Sequence, residues 1–422
     1  MIPRTLFLTP FAPDKSYAGG ENIRKIVQQL PQDQIRWASL EACRGSLPVS
    51  AVHAAFQPAS LHWRLCNTAM NSLYTDEWQS RELANRIAAW VKPFAPELLW
   101  VVPELGCIRL ASLLARRLKL PIHATLHDAV ETARFILPRC YYPVYAWRMR
   151  QLLNQVTSVD AISNALLSHV GKHCPAVRAG ASIVVPPPIA KSLMVSGKAA
   201  RFGRRDSRRI AFCGSMRTTP AQWFGFLNEL SALHRDVELV IYAYKAMFPV
   251  VELPSRVRLR FESFLPEAEL IRALQDADID ACYLGLWKEP ERRLFAQTSV
   301  SAKLTTYAAA GLPVIVDGPE DSAAWILVGK YEAGVLVPPS RNTPSMAQLF
   351  SDEELWRKMA EGAHRMCWEE FDLDRNVVAL SQRLTATATP HPNPPRIAVT
   401  YRRRRLSLLL RQGYGGQEGE RE

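Results

Sequence analysis

Short apolar segments alternate with amphipathic segments along the first half of the chain. The apolar segments have the length of strands, and the segments between several of them, such as 78–91 and 108–120, carry apolar residues three to four positions apart. Strands are predicted at 5–9, 35–40, 97–102, 121–126, 156–162 and 182–185. Strands that alternate with helices are typical of a parallel sheet covered by helices. The pattern predicts an α/β domain.

The same alternation restarts near residue 209 with a different sequence. Strands are predicted at 209–214, 237–242, 257–261, 279–286 and 313–316, and helices at 220–234, 267–277, 301–311, 321–330 and 352–370. The stretch before the restart, 186–208, begins with three prolines and shows no hydrophobic period, which is typical of a linker. The second half is therefore predicted to be another α/β domain.

These patterns divide the chain into five predicted parts. They are a first Rossmann-like domain at 1–185, a linker at 186–208, a second Rossmann-like domain at 209–345, a C-terminal helical segment at 346–380 that packs back toward the first domain, and a disordered basic tail at 381–422. The predicted fold class is α/β, with two Rossmann-like domains facing across a cleft and a mostly parallel sheet in each.

Composition supports a folded protein and excludes several classes. Hydrophobic residues make up 48% of the 422 residues and charged residues 22%, far from the composition of disordered chains. The eight cysteines form no CxxC pair and have no histidine partner at zinc-ligand spacing, so reduced core thiols are expected. The N-terminal apolar run is too short for a signal peptide, and no stretch approaches the ~20 apolar residues of a membrane span. A cytoplasmic location is expected.

The net charge of +12 favours an anionic partner such as a nucleotide or an anionic membrane surface. Much of the excess is local, because arginines cluster at 201–209 in the linker and at 402–405 in the tail. Charge runs of this kind are usually solvated. A nucleic-acid-binding protein would carry basic residues interleaved with aromatic residues on one folded face. The arginine clusters lie instead in the linker and the tail, so no nucleic-acid partner is predicted.

Three segments that follow predicted strands could hold a ligand, because ligands of open α/β sheets bind beyond the carboxyl ends of the strands. The first segment is Gly19-Gly20, in the loop after the first strand, where Glu21 opens a helix. Glycines there permit close backbone approach to a ligand, and the helix N-terminus favours an anion. A flexible turn explains the same residues equally well.

The second segment is His127-Asp128, directly after strand 121–126. An imidazole beside a carboxylate can orient a hydroxyl group and exchange protons near neutral pH. A purely structural pair is the alternative interpretation.

The third segment is 299–316, which contains a predicted helix and the strand after it. Ser299 and Ser301 can cap the helix, Lys303 lies in its first turn, and Thr306 follows on the same face. Free amides, the helix dipole and an ammonium together suit a diphosphate. An alanine-rich buried helix with one lysine reaching solvent is the alternative.

The sequence SAKLTTYAAAGLPVIV of this segment resembles the K-L-x-x-Y-x-A-A-G-x-P-V-I pattern of retaining GT-B glycosyltransferases, chiefly glycosyltransferase family four. Looser similarities to that family occur in the same order at 9–21, 127–128, 163–170, 183–189 and 210–216. The order and spacing of these motifs are their specific part, and the resemblance covers roughly residues 4–375.

The resemblance implies a GT-B enzyme that moves a hexosyl group from a nucleotide-diphosphate sugar to the hydroxyl of a saccharide or lipid-linked acceptor. It implies retention, a role in cell-surface polysaccharide or glycolipid synthesis, and neither a metal nor a cofactor beyond the donor. The first domain would hold the acceptor, near the catalytic candidates His127 and Asp128. Lys303 would lie near phosphate and Thr306 near the ribose or sugar. The donor-binding candidates are Gly19, Gly20, Gly214, Arg217, Ser301, Lys303 and Thr306.

Two departures from the family pattern keep other functions open. The positions of a frequent glutamate pair are occupied by Thr298 and Thr306, and the loop 213–223 supplies only Arg217 where the family usually has an arginine and a lysine. A non-catalytic GT-B-like partner or scaffold in a polysaccharide assembly system is therefore the main alternative. A sugar-nucleotide epimerase would need a pair of acid and base carboxylates, which the sequence does not identify.

Overall fold

A computed structural model describes residues 2–13, 18–43, 51–57, 69–104, 106–135, 137–139, 141–194, 202, 207–243, 252–339 and 343–389, without the side chains of 18 and 69–75. The described residues up to Ala388 form one compact unit. This unit contains two parallel sheets covered by helices, so the predicted α/β class with two Rossmann-like halves is confirmed. Cys66, Cys140 and most of the basic tail lie outside the described residues.

The first half contains a seven-stranded sheet. Its strands are β1 (Thr5–Thr9), β2 (Ile35–Ser39), β3 (Val52–Ala55), β4 (Leu98–Val101), β5 (Ile122–Leu126), β6 (Ser158–Ala161) and β7 (Ser182–Val184). Its helices are α1 (Ala18–Gln29), α2 (Ala69–Val91), α3 (Cys107–Leu118), α4 (Tyr142–Leu153), α5 (Asn164–Gly171) and α6 (Pro175–Arg178). The strand order is β3-β2-β1-β4-β5-β6-β7, and all neighbouring strands are parallel.

The second half contains a six-stranded sheet with the order β10-β9-β8-β11-β12-β13, again parallel throughout. Its strands are β8 (Arg208–Cys213), β9 (Val237–Tyr242), β10 (Val257–Glu262), β11 (Ala281–Gly285), β12 (Val314–Asp317) and β13 (Gly334–Val337). Its helices are α7 (Pro220–Ser231), α8 (Glu267–Asp276), α9 (Arg293–Thr298), α10 (Ala302–Ala309), α11 (Ala323–Lys330), α12 (Met346–Ser351) and α13 (Glu353–Glu370), followed by α14 (Leu373–Ala388).

Burial explains why these strands form. The central strands are buried on both faces, as in β1, β4, β5 and β11, which is the burial expected of parallel strands covered by helices on both sides. Sequence periodicity missed β3 and β13. Both have only four residues, and half of β3 is exposed at the sheet edge, so neither segment shows the long apolar run that identified the others.

The last helix returns to the first half of the chain. Leu373, Leu380 and Leu384 of α14 join the core on one face of the first sheet, where Trp37 and Trp100 are also fully buried. Helix α13 packs instead into the core of the second half. The tail was predicted to begin at residue 381; this boundary is wrong, because 381–388 are helical and Leu384 supplies apolar area that only the folded helix can bury.

A buried polar network lies under α14. Both ring nitrogens of His123 are hydrogen-bonded, Nδ1 to Ser158 Oγ at 2.6 Å and Nε2 to Asp160 Oδ1 at 2.7 Å. Thr125 Oγ1 donates to the same Asp160 oxygen at 2.6 Å, and Ser158 is hydrogen-bonded to Thr387 of α14. Because buried polar groups cost free energy unless they are paired, this network specifies where α14 docks.

A second charged cluster joins three helices of the first half. Arg109 of α3 forms two hydrogen bonds of 2.7 Å with the carboxylate of Glu77 in α2, and Arg148 of α4 donates to the same carboxylate at 2.8 Å. The hydrogen bond from Arg109 is the main reason that the pKa of Glu77 falls to about 2. Asp76 beside it has a raised pKa, because burial outweighs its bond to Arg148.

The cysteines behave as expected where they are described. Cys107, Cys174, Cys213, Cys282 and Cys367 are buried and Cys43 is partly buried, and none of these six forms a disulfide. Burial raises the pKa of the Cys107 and Cys282 thiols well above the usual value. Within the ranges described above, no helix is both long and apolar enough to cross a membrane.

Candidate functional site

The strand orders place a switch point in each sheet, between β1 and β4 in the first and between β8 and β11 in the second. Ligands of open parallel sheets bind beyond the carboxyl ends of the strands at such points. The segments at these ends are Pro103-Glu104 after β4, His127-Asp128 after β5, residues 214–217 after β8 and residues 286–288 after β11.

Three polar side chains form the first-half side of the site. His127 Nδ1 lies 3.4 Å from Glu104 Oε1, and Asp128 follows it in the chain. Burial acts to lower the pKa of His127, but the hydrogen bond and charge of Glu104, with help from Asp128 and Asp160, raise it overall. Glu104 thus both orients the ring of His127 and raises its pKa.

A cavity of about 160 Å³ opens beside these residues. Glu104, His127 and Asp128 form its polar wall. The remaining wall of the cavity is mostly apolar and is formed by Leu126, Ala129, Ala133, Leu137, Tyr145 and Met149. A mainly apolar cavity with a few convergent polar groups is the usual form of a small-molecule site.

Lys303 is the central cation of the second-half side. Ser301 is the N-cap of α10 and its hydroxyl accepts a 3.4 Å hydrogen bond from the Lys303 amide. The ammonium donates to the carbonyl of Ser215 and lies 4.7 Å from the centre of the Phe212 ring. Although part of the side chain reaches solvent, burial of the ammonium, with repulsion from Arg217, lowers the pKa of Lys303 to about 7.

Two neighbours explain how the sequence positions this lysine. Gly214 directly follows β8 with a φ of 72°, a conformation that favours glycine, and a Cβ there would lie 3.5 Å from Lys303 Cε. Tyr307, one turn further along α10, accepts from the Cys213 amide and donates to the Tyr283 carbonyl, both at 3.1 Å. The tyrosine of the motif therefore fixes α10 over the switch point.

Arg217 and Ser299 bring the two halves together at Asp128. The Ser299 side chain lies beside Asp128 and acts to lower its pKa, and Arg217 attracts Asp128 electrostatically. Asp128 is open to solvent, yet the protein around it raises its pKa; His127 and Arg217 act in the opposite direction. Burial lowers the pKa of Arg217, whose guanidinium lies 4.7 Å from the ring centre of Phe295. The carboxylate of Asp128 and the guanidinium of Arg217 thus influence each other electrostatically, although they form no salt bridge.

The predicted site residues therefore fall into two groups. The structure brings together His127, Asp128, Gly214, Arg217, Ser301 and Lys303. Gly19 and Gly20 lie in the first turn of α1 rather than in a loop, so the predicted glycine loop is wrong at these positions. The next residues of that helix, Asn22 and Ile23, do line a small cavity that His127 shares.

Thr306, predicted to lie near the donor ribose or sugar, is buried with 7% exposure. Its hydroxyl donates to the Ala302 carbonyl of its own helix at 3.3 Å. Thr298 occupies the other position at which the family often has a glutamate, and its hydroxyl donates to the Leu294 carbonyl at 2.7 Å. Both hydroxyls satisfy local backbone and supply no carboxylate to the cleft.

Sequence reasoning missed Glu104, and it considered Ser299 only as a helix cap. The available signal for Glu104 is the same as for His127, a polar residue just beyond a buried strand, here β4. The contact of Ser299 with Asp128 joins residues far apart in the chain and has no local signal. In the part of the chain that the structure describes, no group of three histidine, cysteine, aspartate or glutamate residues could hold a metal ion.

Solved structures share the fold of this chain over nearly their whole length. A glycosyltransferase from Rickettsia africae has 13% identity and a TM-score of 0.61, and the match covers 92% of this chain and 100% of that chain. HepE of Anabaena, solved with UDP and glucose, has 14% identity and a TM-score of 0.59 over 91% of this chain and 100% of its own. WaaG, a glycosyltransferase involved in lipopolysaccharide biosynthesis, has 14% identity and a TM-score of 0.55, with 90% and 99% covered.

The chain has the GT-B fold. This confirms the fold that the resemblance implied, while membership of glycosyltransferase family four stays a prediction. No protein-family model and no curated protein sequence matches the chain. At identities of 12% to 14% the fold is retained although few side chains are. In this GT-B chain the cleft between the two sheets contains the cluster of Glu104, His127, Asp128, Arg217 and Lys303.

Proposed function

We propose that this GT-B protein transfers a sugar from a nucleotide-diphosphate sugar to an acceptor hydroxyl. The observation that carries the proposal is the link across the cleft, where Arg217 of the second half interacts electrostatically both with Asp128 of the first half and with Lys303 beside it. HepE, which has the same fold, has been solved with UDP-glucose, and this supports a nucleotide-sugar donor.

The proposed reaction breaks the bond between the anomeric carbon and the diphosphate oxygen and forms a bond from that carbon to the acceptor oxygen. Negative charge develops on the leaving diphosphate. Lys303, Arg217 and the free amides at the start of α10 can stabilise it, and Ser301 holds that helix end in place. The proposal assigns this role to protein cations and amides and requires no cofactor.

The acceptor would occupy the cavity next to His127, within the first half. Glu104 orients the imidazole through Nδ1, which directs the other ring nitrogen away from that carboxylate. His127 or Asp128 would then position the acceptor hydroxyl and take up its proton as the new bond forms. On the basis of the family resemblance, the proposal also includes retention of the anomeric configuration and a role in polysaccharide or glycolipid synthesis. It likewise includes a cytoplasmic location and contact with an anionic membrane.

A second candidate function is a non-catalytic sugar-nucleotide-binding or scaffold protein. Thr298 and Thr306 favour it, because both hydroxyls bond to local backbone at the positions where the family that the sequence resembles often has glutamates. Nucleotide binding without transfer would distinguish this candidate from the enzyme.

The first test is a thermal titration with UDP, GDP and several nucleotide sugars, since a ligand that binds only the folded state raises Tm. Lys303→Ala should abolish the shift. Lys358→Ala is the matched control, because Lys358 pairs with Glu332 on an exposed surface. A shift that survives in Lys303→Ala, or no shift with any nucleotide at millimolar concentration, would refute the proposed donor site. Product analysis with the nucleotide that binds then separates the two candidate functions.

A further inference from the structure

A set of arginines whose guanidinium groups lie over aromatic rings spans the two halves of the chain; we call it the arginine ladder. Its members are Arg134 and Phe135 from the first half and Arg217, Trp287, Arg292 and Phe295 from the second. Arg134 lies 4.8 Å from the ring centre of Phe135, and Arg292 lies 5.5 Å from the same ring. Arg292 is also 4.5 Å from the Trp287 ring, which Arg217 approaches at 5.7 Å.

The three guanidinium groups of the ladder form no salt bridge with any carboxylate among the residues described. Arg134 donates to the carbonyl of Glu291 at 2.9 Å, a contact between the two halves that leaves its charge uncompensated. The adjacent residue Arg293 shows the ordinary alternative, since its guanidinium pairs with Asp321 at 2.7 Å. Asp128 attracts Arg217, but Arg134 and Arg292 have no paired carboxylate among the described residues, and this indicates a place for an anion beside them.

Contact with an aromatic ring also leaves the N–H groups of a guanidinium available to bind an anion. A ring covers the face of a guanidinium, whereas the N–H donors point outward along its edge. Those edges match the oxygens of a phosphoryl group in paired hydrogen bonds. An anion bound along the ladder would offset the mutual repulsion of the three charges.

The position of the ladder relates this anion to the acceptor. Arg134 and Phe135 end the 3-10 helix Val130–Phe135, and Thr132 and Ala133 of the same helix line the cavity beside His127. Arg217 and Lys303 face the proposed donor phosphates, so Arg134 and Arg292 remain for a second anionic group on the acceptor side.

We infer that Arg134 and Arg292 bind a phosphoryl group carried by the acceptor. The inference rests on the proposed function and narrows its acceptor to a phosphate-bearing molecule. The phosphoryl group can belong to a lipid headgroup or to a soluble phosphorylated compound. Both sources present the same oxygens to the ladder.

The experiment compares wild type with the double variant Arg134→Gln/Arg292→Gln and with the control Arg293→Gln. Inorganic phosphate is titrated at constant ionic strength, with and without the nucleotide found to bind, and Tm is recorded. Wild type and the control should be stabilised by phosphate, and the double variant should show a Kd for phosphate at least about tenfold higher. Arg292→Gln alone serves if the double variant does not fold.

A second arm identifies the source of the phosphoryl group. Flotation with phosphatidylcholine vesicles that contain phosphatidic acid, against phosphatidylcholine alone, should show binding that the double variant loses if the source is a lipid. Stabilisation by free phosphate without vesicle binding indicates a soluble acceptor. Equal responses of wild type and double variant in both arms would overturn the inference. Nucleotide binding is read separately, so its failure would refute the proposed donor site and not the anion site.

Discussion

The affinity of this protein for a nucleotide sugar should fall as the pH rises above about 7. The perturbed group is Lys303, whose ammonium has its pKa lowered from 10.5 to about 7, mainly by burial and also by repulsion from Arg217. A bound diphosphate attracts the charged form, so binding raises this pKa. Above pH 7, donor binding must therefore be accompanied by uptake of a proton.

The size of the effect follows from the fraction of Lys303 that is protonated in the unbound protein at each pH. With a free pKa of about 7, Lys303 is about 90% protonated at pH 6 and about 10% protonated at pH 8. If the neutral amine contributes little to binding, the apparent Kd rises about tenfold between these two values, which corresponds to about 1.4 kcal/mol. The rise continues until the pH reaches the pKa of the bound state.

Calorimetric titration at several pH values between 6 and 8 measures this slope. The ligand should be a nucleotide sugar, because its diphosphate has no group that titrates in the range. Lys303→Gln should bind more weakly and lose the slope, whereas Lys358→Gln should keep it. The variant also separates Lys303 from His127, whose pKa is raised and which could titrate nearby. The reasoning is refuted by a flat wild-type profile, or by a slope that persists in Lys303→Gln.

Three further predictions concern other parts of the molecule. The pKa of Glu77 falls from 4.5 to about 2, so the contribution of its carboxylate to stability is complete above pH 4.5 and is lost as the pH falls toward 2. In urea unfolding at pH 7, Glu77→Gln should lower the free energy of unfolding by about 3 kcal/mol. An equal deficit near pH 2 would contradict an electrostatic origin of this contribution. His123→Leu removes the histidine partner of buried Asp160 and leaves it only the hydrogen bond from Thr125, so the variant should be destabilised by about 3 kcal/mol; a loss below about 1 kcal/mol would show that the network is dispensable. Glu104→Gln should lower the pKa of His127 in an NMR titration, since Glu104 is the main group that raises it; an unchanged value would mean that the pair does not interact in solution.

The architecture could be predicted from sequence because parallel sheets leave a local signature. Strands buried on both faces read as continuous apolar runs, and the covering helices keep their own period, so most strands and the division into two halves were visible. The failures lie where the signal is short or ambiguous. Strand β3 is half exposed, and Gly19 and Gly20 were assigned to a loop although the first turn of α1 accommodates them.

Local sequence also identified the α10 segment, because one short stretch carries its cap, cation, stop signal and packing residue. Ser301, Lys303, Tyr307 and Gly311 are ten residues apart at most, and each role is decided by helix geometry or by contact with the strand below. Gly214 belongs to the same class, since its positive φ follows from the turn that ends β8.

The tertiary structure alone decided which of these groups meet. Ser299 reaches Asp128, Arg134 reaches the Glu291 carbonyl, and α14 returns to the first sheet, each across more than a hundred residues of chain. Glu104 became a partner of His127 only because β4 and β5 are neighbours in the sheet, which places the residues beyond them side by side. Chain patterns report burial and local geometry at each position, whereas the site depends on distances between segments, and these distances are set when both sheets and the returning helix pack.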